Sequence, residues 1–254
     1  MKAKLGQHFV ANEEVLELEA RLAQVSGKSV LEIGAGDGRL TQKLLSFGAK
    51  EITAVELDSK LCSILKRKFG RAVDVVQADF LSFKPGHFDR IVGNIPYYIT
   101  SPIIVKLAEY DFELALLCIQ KEVALRMVAT PGSRNYGRLS VFCQLAFNPN
   151  VLCEISKHAF YPVPKVDSCI VTLTKTGFVP SKDLQNKIAA IFSHKKKLLK
   201  NAVIDGREAL FGEKEKKKAQ QIAQNLKYAK RKVFTLSTNE VLETLEELRC
   251  ANER

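Results

Sequence analysis

The sequence predicts an α/β fold: a mostly parallel sheet finished by antiparallel edge strands, followed by a small all-helical C-terminal domain. Three observations carry this. Between residues 29 and 119, short apolar runs alternate with segments of helical period, as right-handed βαβ crossovers require. Around 151–174 two strand-like runs succeed each other with no helix between them. Beyond Gly177-Phe178-Val179-Pro180-Ser181 the chain turns polar, basic and helical, which sets a boundary between domains 1–176 and 177–254.

Asn12 suits an N-cap, with Glu13 and Glu14 favoured in a first helical turn and Val15, Leu18, Leu22 and Val25 at helical spacing. Ser29–Ile33 reads as a buried strand running into Gly34-Ala35-Gly36-Asp37-Gly38. The next helix carries Leu40, Leu44 and Phe47 on its apolar face and ends at Gly48. Glu51–Glu56 is a second strand, Asp58–Phe69 a helix, and Val73–Gln77 a third strand ending near Asp79. Phe88–Gly93 is a fourth and leads directly into Asn94-Ile95-Pro96-Tyr97. A helix over Ser101–Glu109 and a strand over Glu113–Ile119 follow. Val151–Ser156 and Val166–Thr174 form the antiparallel pair. In the C-terminal part Ile188, Ile191, Phe192, Leu198 and Leu199 mark one helix and Lys216–Leu226 another. The last opens on a capping box, Ser237-x-x-Glu240, and buries Val241, Leu245 and Leu248.

Composition narrows the class. Of 254 residues, 46% are hydrophobic and 26% charged, as in a soluble globular protein. No apolar run approaches the roughly 18–20 residues of a membrane span. Met1–His8 has no apolar signal-peptide core, so a cytoplasmic protein is expected. The six cysteines are scattered singly, which favours core thiols over zinc or disulfide frameworks. The net charge of +11 is unevenly placed: residues 182–232 hold 15 basic against 5 acidic side chains. A polyanion partner or a solvated lysine-rich face would each account for it.

The chemistry gathers at strand ends. Gly34-x-Gly36-x-Gly38 lets backbone approach a ligand at a helix N-terminus. It departs from the dinucleotide pattern, because Arg39 stands where the third glycine belongs. Glu56 ends the second strand twenty residues after Gly36, where a carboxylate accepts from ribose hydroxyls. Asp79 ends the third strand, within reach of an adenine amino group, and Glu32 orients the loop or a methionine amine. Together these resemble the S-adenosylmethionine (SAM) site of class I methyltransferases. Asn94-Ile95-Pro96-Tyr97 adds an amide acceptor beside a ring, which suits a planar base with an exocyclic amine. It equally suits a turn after a strand.

A fuller resemblance runs along the chain. Gly6-Gln7-His8-Phe9, Glu32–Gly36, Val55–Asp58, Gln77–Asp79, Asn94–Tyr97, Gln120–Val123, Tyr136–Val141 and Phe160–Ser168 resemble, in order, the rRNA adenine N6-dimethyltransferases of the KsgA type. Phe192–Lys197 and Asn201-Ala202 resemble the start of that family's helical C-terminal domain. The resemblance implies SAM as cofactor and dimethylation of the N6 amines of two adjacent adenosines near the 3′ end of small-subunit rRNA. The implied partner is that rRNA, in the small ribosomal subunit or its precursor, with a role in subunit biogenesis and the protein a monomer. It implies that His8 and Val10 close over the cofactor, that Gly34 contacts its methionine part, Glu56 its ribose and Asp79 its adenine, and that Gly36 also belongs to the cofactor site. Asn94 would lie beside the reacting methyl. Val10 replaces the usual leucine, and the segment before Gly6 is short for a basic RNA-binding arm.

On the chemistry, the Asn94 oxygen and the Ile95 or Pro96 carbonyl are expected to accept the two N6 hydrogens. Tyr97 is expected to stack on the flipped adenine, and Phe160 to wall its other face. Arg134, Arg138, Lys195, Lys196, Lys197, Lys200 and the 214–232 run are candidate phosphate contacts. Two rival readings stand beside this one: a large-subunit rRNA methyltransferase of the antibiotic-resistance type, and a chiefly non-catalytic assembly or transcription factor on the same fold.

Overall fold

The computed structural model describes residues 8–84, 86–212 and 216–252. Gly6, Gln7 and Lys214, which belong to the motifs above, lie outside the described residues. The chain divides into two compact units. One runs up to Ala124 and adds Phe147–Gly177; the other joins Leu125–Ala146 to the segment from Phe178 onward.

The first unit comprises β1 (Phe9–Val10), α1 (Glu13–Leu22), β2 (Ser29–Ile33), α2 (Arg39–Ser46), β3 (Glu51–Glu56), α3 (Ser59–Phe69) and β4 (Asp74–Gln77). It continues with β5 (Arg90–Asn94), α4 (Thr100–Leu107) and β6 (Leu114–Gln120), then β7 (Phe147–Ile155), β8 (Phe160–Tyr161) and β9 (Ser168–Lys175). Seven strands form one sheet in the order β4-β3-β2-β5-β6-β9-β7. The β4 to β6 neighbours are parallel, and β9 runs antiparallel to both β6 and β7. The hairpin partners exchange places for a physical reason. The apolar Ser168-Cys169-Ile170-Val171 run of β9 is buried and enters the sheet, whereas β7 alternates between exposed and half-buried positions and takes the edge.

Strand order reverses between β2 and β5, the place where open α/β sheets bind ligands. Gly93 makes this pairing possible. A Cβ there would lie 2.8 Å from the Ile33 carbonyl oxygen and 3.1 Å from Ile33 Cβ. Gly93→Ala is therefore expected to lower the melting temperature by several degrees, at about 2–4 °C per kcal/mol for a chain of this size. Scanning calorimetry checks this; an unchanged melting point contradicts it.

A second, two-stranded sheet was not foreseen. β1 pairs with β8, Phe9 opposite Tyr161 and Val10 opposite Phe160, and so fastens residues 8–10 to the 160 loop.

The other unit is helical. From β6 the chain passes through α5 (Lys121–Met127) to α6 (Arg138–Ala146), and after β9 through α7 (Lys182–Phe192), α8 (Leu199–Asp205), α9 (Arg207–Phe211), α10 (Lys216–Gln224) and α11 (Thr238–Asn252). Its division differs from the boundary expected after residue 176, because Leu125–Ala146 groups with the helical unit. Burial explains this: Ala129, Tyr136, Val141 and Leu145 share one core with Ile188, Phe192, Val203, Leu236 and Val241. Among the described residues no helix is long and apolar enough to cross a membrane.

Candidate active site

The glycine loop after β2 has left-handed backbone at Gly36 (φ 59°) and Gly38 (φ 78°). A Cβ at Gly36 would come within 2.8 Å of the Phe9 ring, and one at Gly38 within 2.7 Å of Leu65 and Phe69. Packing forbids side chains there. At Gly34 a Cβ would meet nothing within 4 Å, so that residue faces open space.

Glu56, at the end of β3, is 5% exposed and holds the loop in place. Its Oε2 accepts from the Gly36 amide at 2.9 Å and its Oε1 from the Asp58 amide at 2.9 Å. A carboxylate offers about four acceptor positions, so two remain for ligand hydroxyls. Asp79 sits exposed beyond β4, with Oδ1 accepting from the Leu81 amide at 2.9 Å.

Glu32 on β2 and Glu19 on α1 are each 1% exposed. Thr41 Oγ1 donates to Glu32 at 2.6 Å. Burial pushes the Glu32 carboxyl up to about 8, opposed by the Thr41 bond and reinforced by Glu19 and Glu56. Burial likewise raises Glu19 to about 7, opposed by its bond from Asn94. Both values exceed the ordinary 4.5, so the folded protein retains protons that the unfolded chain releases. Their contribution to stability is complete below about pH 4.5 and is lost as pH rises through about 7 to 8. The ligand-free melting temperature is expected to fall across that window, and Glu32→Gln to flatten the fall. An E32Q curve parallel to wild type contradicts the assignment.

Asn94 ends β5. Its Nδ2 donates to Glu19 Oε2 at 3.1 Å, while its Oδ1 is buried with no partner. Glu19 was missed in the sequence, although a signal existed. It falls on the buried stripe of α1 beside Leu16 and Ala20, where an unpartnered acid is costly.

After Asn94, the Pro96 carbonyl accepts from the Ile99 amide at 3.1 Å and Thr100 Oγ1 at 3.3 Å. The Tyr97 hydroxyl shares a 2.8 Å hydrogen bond with Ser168 Oγ, and its ring centroid lies 5.5 Å from that of His8. His8 Nδ1 donates to the Pro162 carbonyl at 2.7 Å.

Two cavities result. The larger, about 1020 Å³, is lined by His8, Val10, Gly34, Gly36, Glu32, Glu56, Asp79 and Asn94 among others. The smaller, about 240 Å³, lies among His8, Asn94, Ile95, Pro96, Tyr97, Cys118 and Phe160. They share His8, Asn94 and Pro96. Every candidate site residue read from the sequence thus borders one cavity or both. Tyr98, 63% exposed at the larger mouth, was not singled out. A carboxylate-lined cavity beside an unpartnered amide oxygen suits a cationic nucleoside next to an amine, and the residues fit SAM.

One expected phosphate contact is corrected. Lys195 Nζ donates inward to the carbonyls of Arg134 at 3.0 Å and Tyr136 at 2.7 Å within the helical unit. Lys197 Nζ pairs with Asp205 at 2.8 Å. Lys196 and Lys200 have no carboxylate partner among the described residues.

The sheet order, its antiparallel strand and the cavity at its reversal define a class I methyltransferase with SAM as methyl donor. A family model for ribosomal RNA adenine dimethylase matches residues 1–244, and the chain belongs to that family. A probable ribosomal RNA small subunit methyltransferase A of Thermococcus sibiricus is 38% identical over 249 residues, covering 96% of this chain and 91% of the relative. Its counterpart in Methanopyrus kandleri is 41% identical over 212 residues, covering 80% and 76%. Among solved structures, a dimethyladenosine transferase from Plasmodium falciparum superposes with TM-score 0.78 at 29% identity, covering 96% of this chain and 98% of that one. The 23S rRNA methyltransferase ErmE gives 0.65 at 25% identity, covering 95% and 99%.

Proposed function

We propose that the protein dimethylates the N6 amines of two adjacent adenosines near the 3′ end of small-subunit rRNA, in the small subunit or its precursor. The carrying observation is Asn94: its amide nitrogen is engaged by Glu19, and its buried oxygen lacks a donor. An adenine amine supplies that donor. The small-subunit target, rather than the large-subunit one, is supported by the names of the curated relatives.

In this reading the larger cavity holds SAM, with Gly34 and Gly36 at its methionine part, Glu56 on the ribose, Asp79 on the adenine, and His8 and Val10 over it. When bound, SAM supplies a methyl on an activated sulfonium. The chain's part is positioning, because the N6 lone pair is delocalised and a poor nucleophile. Asn94 Oδ1 accepts one N6 hydrogen. The Pro96 carbonyl is already engaged, so we assign the second hydrogen to the Ile95 carbonyl. Tyr97, anchored through Ser168, and the buried Phe160 bound the smaller cavity on the base. The flipped base is held with its lone pair toward the methyl.

Incubating purified ribosomal subunits with radiolabelled SAM, then mapping the modified nucleotides, tests the target. Label in large-subunit rRNA alone overturns it. The helical unit is the proposed rRNA-binding part. Neutralising Lys196 and Lys200 is expected to lower the salt slope of RNA binding by about 0.7–0.9 per lost phosphate contact. Lys195→Met should instead lower thermal stability. If the slopes change equally, the distinction fails. A monomer acting in the cytoplasm, with a role in subunit biogenesis, completes the proposal; sedimentation checks the first and pre-rRNA processing in a deletion strain the last.

A further inference from the structure

Glu19 is a buried acid outside the machinery described above. An acid buried without a basic partner destabilises a fold, and an apolar side chain on that stripe of α1 would pack at less cost. What Glu19 touches is Asn94, one of the three residues that the two cavities share.

We infer that Glu19 is a positioning residue for methyl transfer: its ionised carboxylate holds the Asn94 amide with Oδ1 turned to the target amine, and protonation of Glu19 removes that hold. The inference rests on Asn94 accepting the adenine amine.

The geometry fixes the direction. An ionised carboxylate only accepts hydrogen bonds, so across the 3.1 Å contact it takes the Asn94 NH₂. Rotating the amide by half a turn would set oxygen against oxygen at that distance. The preferred orientation leaves Oδ1 as the atom without a partner. A neutral carboxyl donates its O–H to the amide oxygen, so the inverted amide becomes the favoured one. It then presents NH₂ to an amine that itself offers hydrogens, and the site loses an acceptor.

The groups facing Glu19 are Asn94 on β5, Cys118 on β6, Glu32 on β2 and Cys153 on β7. Glu56 acts on Glu32 in turn. Lys43 on α2 engages Glu13 and Glu17, and the Arg90 Nε donates to the Ala23 carbonyl, so neither neutralises Glu19. Cys118 also neighbours Ser168, which anchors the Tyr97 hydroxyl. The amide acceptor and the aromatic wall thus border one buried polar cluster.

Single-turnover methyl transfer to purified small subunits, with saturating SAM, tests this across about pH 6 to 8. With Glu19 near 7, the wild-type rate is expected to rise about tenfold over that span. Glu19→Gln, which can accept or donate, should lose this dependence and run about twofold below wild type at about pH 8. Its melting temperature there should be no lower than wild type and its KM for SAM unchanged. An E19Q profile that keeps the wild-type rise, or equals its rate at about pH 8, overturns the inference.

Should E19Q fail to fold, the side-chain ¹⁵N resonance of Asn94 in the wild-type protein gives the second measurement. A midpoint near 7 is expected, and no titration there overturns the proposal. The two readings fail separately. Asn94→Ala with turnover intact removes Asn94 from the base site, whereas loss of turnover in N94A with an unaltered E19Q profile removes only Glu19.

Discussion

Asn94→Ala should slow single-turnover methyl transfer by about two to three orders of magnitude, the usual loss when a preorganised transition-state hydrogen bond is removed. The adenine amine must move toward a tetrahedral nitrogen as the new bond forms, and acceptors placed on its hydrogens favour that geometry. Asn94 Oδ1 needs no reorganisation, because Glu19 already occupies the other end of the amide. SAM affinity should stay within about threefold, since the cofactor's hydroxyl and amine contacts lie with other residues. The substitution leaves Glu19 without its donor, so folding is checked at about pH 6, where the Glu19 carboxyl is neutral. Rates within about threefold of wild type in a folded variant would remove the hydrogen-bond mechanism.

Glu56→Ala should weaken SAM binding by about 100-fold or more, through two losses at once. Bonds to ribose hydroxyls disappear, and each charge-assisted bond contributes about 1.5–3 kcal/mol. The Gly36 and Asp58 amides also lose their acceptor, so the loop is no longer preorganised. Glu56→Gln separates the two: one amide oxygen can satisfy a single backbone donor, and affinity should fall between the other variants. Calorimetric titration with SAM gives the order. Equal affinities for wild type and E56A would mean that the ribose lies elsewhere.

The parallel strands were legible because strands buried on both faces read as uninterrupted apolar runs, and their ends fall where the runs stop. That placed Gly34, Glu56, Asp79 and Asn94 at one sheet edge before any contact was known. The β1–β8 pair was not legible, since two-residue strands carry no period. The assignment of Leu125–Ala146 to the helical unit depends on which core buries Tyr136 and Leu145, and no local pattern encodes that. Lys195 shows the limit of charge counting: a lysine in a basic run can spend its protons on backbone carbonyls. Glu19 shows the reverse, a residue hidden in plain helical periodicity whose sign alone marked it.

Glu32 and Glu56 line the larger cavity, Glu19 lies behind Asn94, and none of the three has a basic ion-pair partner among the described residues. That imbalance bears on cofactor exchange between successive rounds. Before transfer the ligand brings a sulfonium, a positive charge that favours the ionised form of the neighbouring acids and is attracted to it; afterwards the same sulfur is a neutral thioether. The spent molecule therefore loses an attraction that its replacement possesses. An enzyme that must reload for each methyl draws a bias toward fresh cofactor from the reaction it has just completed.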